Sequence, residues 1–259
     1  MAKKTDFPSE LRHFAGVINT FRGHHYDYDI FRDFVDYVVA CLLWNGDPKL
    51  ADELKNRYRD DYPRFNDLFV ALVQTMADQT IDARWYDALG TLYEVIASRN
   101  KCSWMGQFFT PSSLCDLMAQ MQAGDVSDDA RTANDPACGS GRTLLALNAI
   151  RPGLYYVAQD LDPICTKMAA INMAFHGIKG QAVNGNSLQP DEFVFGYEVN
   201  PRLYTIGGLP HLVPITRETS YVHNLWEKRL EQPSTPEPPK TEKPAQNLAG
   251  LPATQLSVF

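Results

Sequence analysis

Residues 134–145 read NDPACGSGRTLL, with two glycines and a serine set between a short polar stretch and an apolar run. A loop of this kind joins the end of a strand to the start of a helix. There the free backbone N–H groups and the helix dipole favour a charged or polar ligand. The chain then repeats the alternation. TLLALNAI reads as helix, and LYYVAQ as a strand running into Asp160. PICTKMAAINMAFHG reads as a helix between Pro163 and Gly177, and GQAVN as another strand. Strand, glycine loop, helix, strand, acid, helix, strand is a βαβαβ pattern. It predicts an α/β fold with a parallel, doubly wound, Rossmann-like sheet.

The flanks differ from this unit. Residues 1–100 read as an N-terminal helical domain or layer. Ile30, Phe34, Val38 and Leu42 recur at helical spacing, as do Leu68, Leu72, Val73 and Met76, and then Trp85, Leu89, Leu92 and Ile96. Asp47-Pro48 marks a helix start, and so does Thr110-Pro111. Residues 101–230 carry the βαβαβ unit. Residues 231–255 hold six of the 17 prolines and few large apolar side chains, so 231–259 reads as a disordered tail without a core.

Several classes are excluded. No apolar run is long enough to span a bilayer, and MAKKTDFPSELRHF lacks the apolar stretch of a secretory signal. The five cysteines are odd in number and form no CxxC pair, which argues against a disulfide framework or a zinc site and fits a reducing cytoplasm. His24-His25 has no third ligand at a recognisable spacing, so no metal is expected. A net charge of −7 is not the footprint of a self-sufficient nucleic-acid binder, and any grip on DNA is local or shared with a partner.

Three ligands compete for the glycine loop. A P-loop requires GxxxxGK[ST], and here Arg142 and Thr143 follow Gly141 at the wrong spacing. A dinucleotide loop requires GxGxxG, and the third glycine is missing. S-adenosylmethionine suits the residues better. Asp135 can meet its ammonium, and helix N-terminal N–H groups can meet its carboxylate. Gly139 and Gly141 allow close approach of the main chain. Asp160, nineteen residues after Gly141, can accept from the ribose hydroxyls, and Leu161 can pack on the adenine. The plain alternative is a tight turn with glycines for geometry alone. The loop and the acid at this spacing together argue against it.

DPACGSG at 135–141, preceded by GQFFTP at 106–111, resembles the N6-adenine DNA methyltransferases of type I restriction–modification systems. The resemblance covers about residues 100–190. It implies that Gln107, Phe108, Phe109, Thr110 and Pro111 lie over the methionine end of S-adenosylmethionine. It implies that Asp135, Pro136, Ala137, Cys138, Gly139, Ser140 and Gly141 form the binding loop, and that Asp160 binds the ribose. The segment GNSL, Gly185–Leu188, would flank the adenine through Asn186 and Ser187; the family usually has aspartate where Asn186 stands. DNA is the implied substrate, and a specificity subunit an implied partner.

The family places the target amine with [DN]PP[FY]. Its polar side chain and first carbonyl accept from the amine, and its aromatic stacks on a flipped base. The nearest match is Asn200-Pro201-Arg202-Leu203-Tyr204, behind the alternating FVFGYEV. Asn200, Pro201 and Tyr204 are the catalytic candidates, with a plain turn after a strand as the alternative. The resemblance therefore splits between an adenine methyltransferase and a catalytically silent relative that binds cofactor or DNA. Finally, Gln255, Leu256, Val258 and Phe259 in QLSVF resemble the bacterial sliding-clamp-binding motif, in which apolar side chains enter a groove beside a polar glutamine.

Overall fold

The computed structural model describes residues 6–22, 25–82, 84–99, 109–125, 131–189 and 191–231. Five helices precede the sheet: α1 (Arg12–Ile18), α2 (Asp27–Leu42), α3 (Pro48–Tyr58), α4 (Arg64–Asp82) and α5 (Ala88–Arg99). The four-residue spacing in α2 turns Ile30, Phe34, Val38 and Leu42 onto one buried stripe. In α4, Leu68, Leu72 and Met76 are buried but Val73 is exposed, because one residue past Leu72 the helix has already turned toward solvent. The Asp47 carboxylate accepts from the Leu50 N–H at 3.0 Å, and Pro48 occupies the first helical position, so α3 starts where its sequence indicates.

The sheet is built from β1 (Thr132–Asp135), β2 (Tyr155–Asp160), β3 (Gly180–Gly185), β4 (Phe193–Val199) and β5 (Leu212–Ile215), in spatial order β1-β2-β3-β4-β5. Helix α6 (Ser112–Asp125) precedes it, α7 (Arg142–Ile150) joins β1 to β2, and α8 (Pro163–Phe175) joins β2 to β3. Strands β1, β2 and β3 are parallel, as the βαβαβ pattern predicts. The doubly wound expectation fails after β3. Strand β4 runs antiparallel to β3, and β5 antiparallel to β4. Only residues 186–192 link β3 to β4, whereas a parallel crossover needs a dozen residues or more. The result is a mixed α/β sheet. Among the described strands β1 pairs with β2 alone, so its outer edge is open.

Helix α8 is buried almost all round, from Ile164 to Ala174, because it lies between the sheet and the helical layer of α2 and α5. One contiguous cluster of buried side chains runs from Phe7 through Phe34, Leu89 and Met168 to Tyr156 and Leu212. The far end of the sheet is stitched to the same layer by a bridge between Leu43 and Leu212. On the other face, α9 (Tyr221–Glu231) packs against Tyr155 and Gln181. There Gln181 accepts from the Tyr221 N–H at 2.7 Å and donates to Glu198 at 2.7 Å.

Candidate functional site

The register sets Asp135 beside Ala158, two residues before Asp160, so the acids that finish β1 and β2 lie at the same end of the sheet. The loop 136–141 bends over that edge into α7. Gly139 and Gly141 have φ of 54° and 90°, the left-handed region that side chains avoid. A Cβ at Gly139 would sit 2.8 Å from the Phe109 ring, so glycine is what lets that ring close over the loop.

These elements enclose a cleft of about 380 Å3 whose walls include Phe109, Thr110, Asp135, Gly139, Thr143 and Asp160. Asp160 accepts from Gly139 N–H at 2.8 Å and from Asp162 N–H at 2.9 Å. Burial pushes its carboxyl pKa above the ordinary value, against the pull of those two N–H groups. Asp135 accepts from Ala137 N–H at 3.1 Å and from the Thr143 hydroxyl. Both carboxylates keep lone pairs for a ligand. Arg142 also lines the cleft, but its charge is taken up by Asp87 at 2.6 Å and Glu94 at 2.8 Å. The open charge of the cleft is therefore negative. Burial holds the Cys138 thiol well above its ordinary pKa.

The sequence expectations fare unevenly. Phe109, Thr110, Asp135, Ala137, Cys138, Gly139, Ser140 and Asp160 line the cleft together. Gly141 caps α7, and Pro136 lies on the far side of the turn. Pro111 is exposed at the start of α6. Leu161, beside Asp160, is 69% exposed. Asn186 folds back on Leu188 and Gln189, and Ser187 faces a different cavity. Gln107, Phe108, Gln255, Leu256, Val258 and Phe259 lie outside the described residues.

The catalytic candidates lie away from the cleft. Because β4 is antiparallel, its last residue, Val199, pairs with Gly180 at the start of β3, so Asn200 sits at the opposite end of the sheet from Asp160. Asn200 is fully buried. Its Nδ2 donates to Ala174 O and Ile178 O at 3.0 Å each, and its Oδ1 accepts from His211 N–H at 3.0 Å. Pro201 and Tyr204 follow it into an exposed turn, where Lys179 lies over the Tyr204 ring. None of the three lines the cleft.

Sequence reading missed Asp87. It accepts from Gly90 N–H at 2.7 Å, Ser140 Oγ at 2.5 Å, Arg142 Nε at 2.6 Å and Asn172 Nδ2 at 2.8 Å. No local motif marks it, because its partners lie as far as 85 residues along the chain. Among the described residues no cluster is arranged to hold a metal, and no helix is long and apolar enough to cross a membrane.

Residues 84–205 match the family described as N-6 DNA Methylase. The chain is 31% identical over 201 residues to the type I restriction enzyme MpnII methylase subunit of Mycoplasma pneumoniae, covering 66% of this chain and 35% of that one. It is 29% identical over 135 residues to the type I restriction enzyme HindI methylase subunit of Haemophilus influenzae, covering 48% of this chain and 29% of that one. The chain thus spans about a third of the length of these curated relatives. No solved structure matches it significantly. The matched span contains the cleft, the network around Asp87 and the turn at Asn200.

Proposed function

Because the chain belongs to the N-6 DNA methylase family, we propose that its cleft binds S-adenosylmethionine and that the protein is a DNA methyltransferase acting on adenine N6. One observation carries the cofactor assignment. Asp135 and Asp160 face a cleft whose arginine is already neutralised by Asp87 and Glu94. A triphosphate would be repelled there. A ligand with a sulfonium, an ammonium and a single carboxylate is attracted.

In this reading Asp135 accepts from the ammonium, and N–H groups at the start of α7 meet the carboxylate. Asp160 accepts from the ribose, and the Phe109 ring keeps water from the loop. The bound cofactor supplies an electrophilic methyl with a good leaving group. The protein's share is placement of the acceptor amine. A DNA substrate follows from the family's description and a specificity subunit from the resemblance to type I restriction–modification systems, and both belong to the proposal.

Calorimetric titration with S-adenosylmethionine tests the reading. Wild type is expected to saturate. Asp135→Asn is expected to bind about tenfold more weakly, the cost of one charge-assisted hydrogen bond. Asp160→Ala is expected to lose binding. A folded wild type that takes no cofactor rejects the assignment.

The burial of Asn200 favours a second reading, a protein that holds cofactor without transferring its methyl. Transfer of labelled methyl to DNA, with and without a specificity subunit, separates the two. Cofactor binding with no transfer under either condition leaves only the second.

A further inference from the structure

Two neighbouring features leave one flank of the molecule uncovered among the described residues. The first is the outer edge of β1. Tyr155 N–H donates to Arg131 O at 2.8 Å, so by alternation Ala133 and Asp135 also turn their backbone groups toward β2. The N–H and C=O of Thr132 and Asn134 therefore point to the open edge. The second feature is helix α6. The helices on this face run α8 against β2 to β4, α7 against β1, and α6 beyond α7, so α6 overhangs that edge. The residues α6 buries are small, Cys115 and Ala119. Its large apolar side chains point elsewhere. Leu114, Leu117, Met118 and Met121 follow the i, i+3, i+4, i+7 spacing of a single helix face, from 37% exposed at Met118 to 65% at Met121. Met118 lines the cofactor cleft with Asp135, so the stripe and the strand edge meet there.

A short polar strand edge can face water unaided. An apolar stripe beside it calls for a cover. Charge says what kind. Between Leu114 and Met121 the helix carries one charge, Asp116, which accepts from Trp85 Nε1 at 2.8 Å on another side of the helix. A chain of net charge −7 repels its own kind, and two copies meet most easily where neither presents charge.

We propose that this flank is the interface of a two-fold dimer, and that its occupant is a second copy of the chain. An axis normal to the sheet beside Ala133 pairs the two β1 strands antiparallel. It sets Thr132 opposite the partner subunit's Asn134, and Asn134 opposite the partner subunit's Thr132. Both pairs have outward backbone groups and exchange two hydrogen bonds each. The same axis keeps the two α6 helices on one face, antiparallel, with their stripes together. One operator thus covers both features, as a self-complementary interface requires. The two five-stranded sheets become one, with a cofactor cleft at each end. This inference goes beyond the cofactor reading and does not depend on it.

The test is sedimentation equilibrium of the full chain over a micromolar range. Wild type is expected at twice the chain mass. Leu117→Glu with Met121→Glu puts carboxylates into the seam and should weaken association about a hundredfold. Thr132→Pro removes an outward N–H at the first residue of an edge strand, where proline is tolerated, and should weaken it about tenfold. Ile81→Glu charges an exposed apolar residue in the last turn of α4 and should leave the dimer intact. The axis has its own readout. With Cys41 and Cys102 replaced by serine, Ala133→Cys should form an interchain disulfide under diamide, because Cα atoms facing across such a pair lie about 4.5 Å apart.

A monomeric wild type overturns the inference. So does a dimer that survives the stripe variant, or one that does not cross-link through a folded Ala133→Cys. Far-ultraviolet circular dichroism reports folding, and the stripe variant keeps the test decisive if Thr132→Pro does not fold. Titration with S-adenosylmethionine on the same samples separates this failure from that of the cofactor reading. A monomer that binds cofactor sinks the dimer alone.

Discussion

Asp87 joins the helical layer to the glycine loop through side-chain hydrogen bonds from Ser140, Arg142 and Asn172, and it lies 3% exposed. Arg142 is itself buried and leans on Asp87 with Glu94 as a second, half-exposed partner. Breaking a buried pair from one side strands the other charge. Asp87→Ala is therefore expected to cost about 3–5 kcal/mol in urea unfolding. Cofactor affinity should fall with it, because Ser140 loses its anchor. A loss below about 1 kcal/mol would mean that Glu94 and water hold Arg142 unaided. The loop glycines were legible because glycine is favoured at their left-handed backbone angles, and a two-glycine signature survives in the sequence. Asp87 was not legible. A carboxylate at the head of a helix looks like any capping residue until the fold brings its distant partners to it.

The elements divide the same way. Strands β1 to β3 and the helices between them could be read from alternation, from Pro163 near a helix start, and from acids at the strand ends. FVFGYEV was equally clear as a strand, but a period of two carries no direction. The direction lay in the connection, seven residues between Gly185 and Phe193, too few for a crossover. Once β4 reverses, the Asn-Pro step becomes a structural turn. Asn200 holds a φ of 54°, and its side chain serves one carbonyl in the last turn of α8, one in the α8–β3 connection and one N–H before β5. Asn200→Ala should orphan those groups and cost about 2–4 kcal/mol, leaving cofactor affinity per folded molecule unchanged. Unchanged stability together with lost methyl transfer would return Asn200 to the catalytic candidates.

At the scale of the molecule, the helical layer and the sheet share one contiguous core, with α8 between them. Thermal unfolding of residues 1–231 is expected to be a single transition by circular dichroism and by tryptophan fluorescence. Saturation with cofactor at about 100 times its Kd should add about 2.7 kcal/mol. Hydrogen exchange should slow in α5 as well as in the loop, since Asp87 couples them. Separate transitions for the helical layer and the sheet would refute this. The reversal of β4 has one more consequence. It gives the sheet two unlike poles, one where strand ends, glycines and carboxylates gather, the other closed by Asn200, His211 and the bridge at Leu43. Mutations at the first pole alter what the molecule can hold. Those at the second alter how firmly its layers stay together. Selection can therefore revise the chemistry and the sturdiness of this fold as nearly separate inheritances.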